Sequence, residues 1–214
     1  MAVNYGSLPF AEQLAFFRAK LNLPTQRWED LLGAAHDRAF VVAGGMKADL
    51  LADLRKAVDK AIAEGTTLEQ FRQDFKQIVA QRGWTGWTGE GTKAGEAWRT
   101  RVIYETNLFT SYSAGRYQQM KAVAETRPWW RYRHSDASVH PRREHLAWDG
   151  LILKHDNDFW TKRAPPSGWG CRCFIETLAE RDLKREGLGP TPPEKITFKD
   201  DDPKTGLPQG VDPG

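Results

Sequence analysis

An α+β fold is predicted for this chain: a helical N-terminal half, a long central helix, a small antiparallel β region with long loops, and an extended C-terminal arm. Three observations carry that reading. Apolar residues recur at helical spacing through much of residues 1–83, a proline-free run spans 96–125, and beyond Pro128 short extended pieces are cut by glycine and proline. The 214 residues are 40% hydrophobic and 28% charged, as in folded proteins, and a chain of this size buries enough surface to fold without disulfides or metal. No segment reaches the roughly 18 consecutive apolar residues of a membrane span, and the N-terminus lacks a basic flank followed by an apolar signal core. Cytoplasmic synthesis and no membrane partner are therefore expected. With 31 Lys+Arg against 28 Asp+Glu the net charge is +3, too small to name a nucleic-acid partner.

The elements follow in order. Phe10, Leu14, Phe17 and Leu21 recur at helical spacing until Pro24, and a second short helix is expected from Thr25 with Trp28, Leu31 and Leu32 behind it. Leu50, Leu54, Val58, Ala61 and Ile62 then form an apolar stripe that ends at Gly65. Thr66-Thr67 followed by Glu69 and Gln70 reads as a capping box, opening a helix with Leu68, Phe71, Phe75, Ile78 and Val79 on its apolar side. These two helices should form an antiparallel hairpin. The glycine-rich stretch 84–95 is expected to be a flexible joint, and 96–125 one long helix. Extended pieces are expected at Trp129 to Arg133, Leu151 to Lys154 and Cys171 to Leu178. The domain organisation expected is a helical region 1–83, a loop 84–95, a helix-plus-sheet core 96–185, and a Pro/Gly-rich arm 186–214 that cannot bury enough apolar area to order itself.

Eight of the nine tryptophans lie between Trp84 and Trp169, and the same region concentrates the polar chemistry. On an extended segment Cys171 and Cys173 point to one face, where an intrachain bridge would need unusual geometry and two thiolates could instead bind a metal. His140 or His145 could fold over them from the preceding loop, a nitrogen and thiolate set that suits a structural zinc. The simpler reading is two small buried thiols beside loop histidines. Asp136, Glu144, Asp149, Asp156 and Asp158 could in principle serve a zinc-dependent hydrolase or nuclease. However, the sequence holds no nucleophile elbow, phosphate-binding loop or His-Glu-x2-His, so no catalytic residue is expected. Arg131, Arg133, Arg142 and Arg143 lie among Trp129, Trp130 and Tyr132, a mixture that can clamp phosphates and stack bases. The alternation of Trp130, Tyr132 and His134 with Trp129, Arg131 and Arg133 equally fits a half-buried strand.

The runs Arg101 to Asn107, Ser113 to Tyr117, Trp130-Arg131-Tyr132, His145 to Gly150, Phe159-Trp160 and Pro165 to Cys173 resemble, in order and interval, the phage Mu protein F family of minor head proteins. The resemblance covers about residues 8–180. Its most specific element is Pro165-Pro166-Ser167-Gly168-Trp169-Gly170-Cys171-Arg172-Cys173. It implies a structural part of the virion head, assembled in the host cytoplasm near the portal, with the portal or major capsid protein as partner. The alternative is a packaging or ejection protein that contacts the packaged DNA. His145 matches the family pattern and becomes the leading third metal ligand beside Cys171 and Cys173, with His140, His155, Asp136 or water in the fourth position. Where the family commonly shows Asp-x-x-Val/Thr-Arg-Pro, this chain has Asp136-Ala137-Ser138-Val139-His140-Pro141, so no family role passes to His140.

Overall fold

A computed structural model describes residues 10–31, 35–137, 141–196, 208 and 211. The chain divides into two compact units, 1–115 and 116–213. The boundary falls within the longest helix, whereas the glycine-rich stretch lies wholly inside the first unit.

The first unit opens with α1 (Ala11–Ala19), whose Leu14 and Phe17 are buried. The helix stops before Leu21, which is exposed and enters a two-residue strand, β1 (Leu21–Asn22), paired in parallel with β2 (Ala39–Phe40). The expected second helix reduces to one 3-10 turn at Trp28–Asp30. There the Asp30 carboxylate accepts the N–H groups of Gln26 and Arg27, satisfying the turn locally, and Trp28 stays exposed. A short helix, α2 (Ala35–Arg38), precedes β2.

Next come α3 (Ala48–Glu64) and α4 (Leu68–Arg82), packed together as the expected hairpin. Leu50, Leu54, Val58 and Ala61 of the α3 stripe are buried. At the turn, Gly65 takes φ +71°, a conformation that closes a helix and disfavours side chains, while Thr67 and Gln70 form the capping box. Residues 84–92 are not a free joint. Trp84 and Trp87 are buried against Phe75, and the Trp84 indole N–H donates to the Gly44 carbonyl (3.1 Å), so aromatic burial outweighs the freedom of the glycines.

The long helix, α5 (Lys93–Ala122), has Gly95 in its first turn and runs unbroken through Gly115. A Cβ at Gly115 would stand 2.8 Å from the backbone N of Gln13 and 2.8 Å from the Phe10 ring, so only glycine lets α1 lie this close. The Gln13 amide fixes the approach by donating to the Leu108 carbonyl and the Ser111 hydroxyl, each at 3.1 Å.

In the second unit three strands form an antiparallel sheet in the order β4 (Ile152–Lys154), β3 (Trp129–Arg133), β5 (Phe174–Leu178). On one face Trp130 and Tyr132 are fully buried beside Leu153 and Ile175, under α6 (Arg143–Ala147), α7 (Asp158–Arg163) and the chain around them. The rings of Trp130, Tyr132, Trp148, Phe159 and Trp160 meet edge to face, with centroids 5.0–6.1 Å apart. The opposite face packs Trp129, Ile152 and Leu178 on Leu183 of α8 (Glu180–Glu186).

β5 begins at Phe174, so Cys171 and Cys173 lie not on the strand but in the turn that feeds it; the Cys171 N–H closes that turn onto the Gly168 carbonyl. Nor does the body of the unit end at residue 186. The Thr191 N–H donates to the Ile152 carbonyl (2.9 Å), the Ile152 N–H donates to the Thr191 hydroxyl (2.8 Å), and Ile196 packs on the aromatic core. The open edge of β4 takes up this segment because its unpaired backbone groups need partners.

Two expectations follow. Gly115→Ala gains about 0.5–1 kcal/mol of helix propensity but forces a methyl onto backbone, at about 1–3 kcal/mol. The variant should therefore melt below the parent in calorimetry, and a higher melting temperature would contradict the packing. At α8, Asp182 accepts the Ala179 N–H (3.0 Å) and pairs with Arg127 (2.9 Å) and Arg185 (3.1 Å). These contacts, the backbone donor first, hold its carboxyl below the ordinary value of 3.8. The stabilisation is therefore present above that value and is lost as pH falls through the lowered one. Asp182→Asn should melt lower at neutral pH and lose less stability on acidification; equal acid sensitivity in both proteins would count against it.

Candidate metal centre

The cysteines and histidines of the second unit converge at one end of the sheet. β3 alternates its side chains, so the position after Arg133 continues the buried face of Trp130 and Tyr132 and delivers His134 to that side. The His134 backbone is pinned by its N–H to the Asp149 carboxylate (2.8 Å). Residues 148–151 are laced to β3 through Gly150 N–H to the Tyr132 carbonyl and Tyr132 N–H to the Leu151 carbonyl, both 2.9 Å. This lacing sets α6 over the sheet end. Its His145 is buried (2% exposed) and stacks on Trp148 at 5.3 Å.

The turn preceding β5 brings the sulfurs from the other side. Its Pro165-Pro166 bond is cis and Gly170 has φ +69°. Cys171 and Cys173 are each 2% exposed and are not joined in a disulfide. Backbone N–H groups of Ser167 and Cys173 are directed at the Cys171 sulfur.

His145 Nδ1 stands 3.6 Å from Cys171 Sγ and 3.7 Å from Cys173 Sγ, and the three donors lie within 4.8 Å of one another. His134 Nδ1 approaches the group through Cys173, at 3.5 Å. Within the thiol pair Cys173 is the acidic partner. A hydrogen bond from Cys171 holds it far below the ordinary thiol range against the cost of burial, and His145, Tyr132 and His134 add to the effect. Cys171 is pushed up, by Cys173 first and by burial second. Tyr132 is pushed up mainly by burial; its hydroxyl lies by Cys173 without a hydrogen bond of standard geometry. Two thiols and imidazole nitrogens form a donor set for a borderline-soft cation rather than an acid–base or nucleophilic site.

The structure thus brings together Cys171, Cys173 and His145. Of the expected fourth ligands, His140 lies outside the described residues. Asp136 sits in an exposed turn. His155 is at the wrong end of the sheet: its N–H bonds the Pro128 carbonyl before β3 starts, and its ring lies against Trp130. His134, which the strand alternation puts on the side of Trp130 and Tyr132, stands beside Cys173.

The arginines are placed differently. Arg131, 12% exposed, is held by Glu176 (2.7 Å) and Glu186 (3.1 Å). Arg133 pairs with Asp149 and Glu176, both at 3.6 Å. Arg142 donates to the Trp169 carbonyl, and Arg143 is exposed at the start of α6. They form no single array.

Comparison with known proteins bears on the same region. The family model for phage Mu protein F-like proteins matches residues 52–176, from α3 to β5 and including His134, His145, Cys171 and Cys173. A protein of Escherichia phage Mu provisionally named capsid assembly protein F is 36% identical over 190 residues, covering 85% of this chain and 43% of its own length. The Mu-like prophage FluMu F protein of Haemophilus influenzae is 36% identical over 168 residues, covering 77% of this chain and 40% of its own. The chain therefore spans less than half the length of these relatives. No solved structure matches it. With more than half of its residues matched by the family model, the chain belongs to the phage Mu protein F-like family.

Proposed function

We propose that this protein is a structural minor component of a phage head that acts in head assembly near the portal. The observation that carries the reading is the match along 85% of this chain to a relative whose name gives capsid assembly as its role. The architecture supports it. An assembly part needs a rigid body and surface groups able to meet partners, and here the second unit has a dense aromatic core while Trp28 and Trp98 are 54% and 43% exposed. The Cys–His group is enclosed and suited to holding loops in place rather than to turning over a substrate. Portal and major capsid protein are the partners this reading assigns, and the virion head is its location.

Contact with packaged DNA is the second reading, motivated by the arginines around β3. The ion pairs of Arg131 and Arg133 weigh against it, since phosphate would have to displace carboxylates already in place.

Two measurements separate these readings. Mass spectrometry of purified heads and proheads should find the protein at a small fraction of the major capsid protein; its absence from both would overturn the assembly role. Arg131→Ala should cost about 1–3 kcal/mol of stability through the lost charge-assisted hydrogen bonds, while affinity for duplex DNA across a salt series stays unchanged. A weaker, less salt-sensitive DNA affinity at unaltered stability would favour the second reading.

A further inference from the structure

We infer that Cys171, Cys173 and His145, with His134 closing the fourth position, hold one structural zinc ion. The argument begins from distance. Zinc bonds sulfur at about 2.3 Å and imidazole nitrogen at about 2.0–2.1 Å, so a tetrahedral centre sets S···N edges of about 3.5–3.6 Å. Of the four S···N edges of such a centre, three stand at 3.5, 3.6 and 3.7 Å; the mutual approach within 4.8 Å holds for Cys171, Cys173 and His145, whereas His134 meets the group through Cys173 and moves in to close the fourth position. Both histidines turn the same atom, Nδ1, toward the sulfurs.

Charge supports the same assignment. Two thiolates and two neutral imidazoles around Zn2+ give a centre of zero net charge, which can be buried among aromatic rings without the penalty of an isolated ion. On binding, each cysteine S–H bond breaks, its proton leaves to solvent, and a Zn–S bond forms in its place. The backbone N–H groups of Ser167 and Cys173 directed at the Cys171 sulfur stabilise the ionised ligand. With four protein ligands no position is left for substrate, so the role is structural.

Position gives the ion its task. The ligands come from the end of β3, from α6 and from the turn before β5, segments separated by long loops. One ion fastens all three at the sheet end where the loops enclose the aromatic core. The inference rests on the ligand geometry and stands apart from the role in head assembly.

The test uses the full chain purified without added metal. Elemental analysis should return about one equivalent of zinc. After removal of the metal by chelator, the melting temperature should fall, and Co2+ should restore it with the visible absorption of a tetrahedral S2N2 site. Cys173→Ser should bind less than about one tenth as much metal, and His134→Ala, a change at a half-exposed side chain, should weaken zinc binding about ten-fold or more. Should the cysteine variant fail to fold, the Co2+ spectrum of the parent chain and the affinity of His134→Ala still decide. Absence of zinc together with no tetrahedral Co2+ absorption would overturn the site. An unchanged zinc affinity in His134→Ala would overturn the fourth ligand.

Discussion

Trp130 and Tyr132 project from one face of the central strand β3 and are fully buried, and the described residues of the second unit are organised around covering that face. A three-stranded sheet is too small to provide its own second layer, and large aromatic side chains need more cover than neighbouring strands offer. The cover comes from Trp148, Phe159 and Trp160, which sit on or beside two short helices, and from the turn carrying the cysteines. Short helices of five and six residues have little stability of their own. Their order depends on the rings they bring to β3.

This constraint explains why the Cys–His group stands where it does. The loops that shield Tyr132 must be fixed at the end of the sheet, where strand pairing stops at Arg133 and Phe174. His145 serves both ends, since it stacks on Trp148 and faces the two sulfurs. On the opposite face, cover is secured by charge instead. Arg131 joins its cross-strand neighbour Glu176 to Glu186 of α8, and Arg127 reaches Asp182 at the start of that helix. The two faces thus use different chemistry to close over one strand.

Much of this was legible in the sequence where periodicity was strong. The helices α3 and α4, the capping box at Thr67 and the strand Trp129–Arg133 follow directly from apolar spacing and turn residues. The expectation failed where tertiary packing overrides a local signal. The glycines of 84–95 suggested a joint, but Trp84 and Trp87 are drawn into the core; Thr25 suggested a helix, but Asp30 satisfies a tighter turn. The short helices α6, α7 and α8 carry too few residues for a period to show. Of the candidate site, Cys171, Cys173 and His145 were readable from composition and family pattern. Alternation along β3 puts His134 on the side of Trp130 and Tyr132, but its approach to Cys173 depends on how the turn before β5 meets the sheet end, and the inward pairing of Arg131 could not be read without knowing which strand lies beside it.

On the proposed role in head assembly, the second unit enters the head as a body built around its aromatic core. The most direct measurement is an asymmetric cryo-electron reconstruction of the assembled head, calculated without imposed symmetry at the portal vertex. The proposed role predicts density at that vertex into which β3 to α8 fits with its aromatic core intact. A well-resolved vertex in particles of normal composition with no such density there or elsewhere in the head would contradict it.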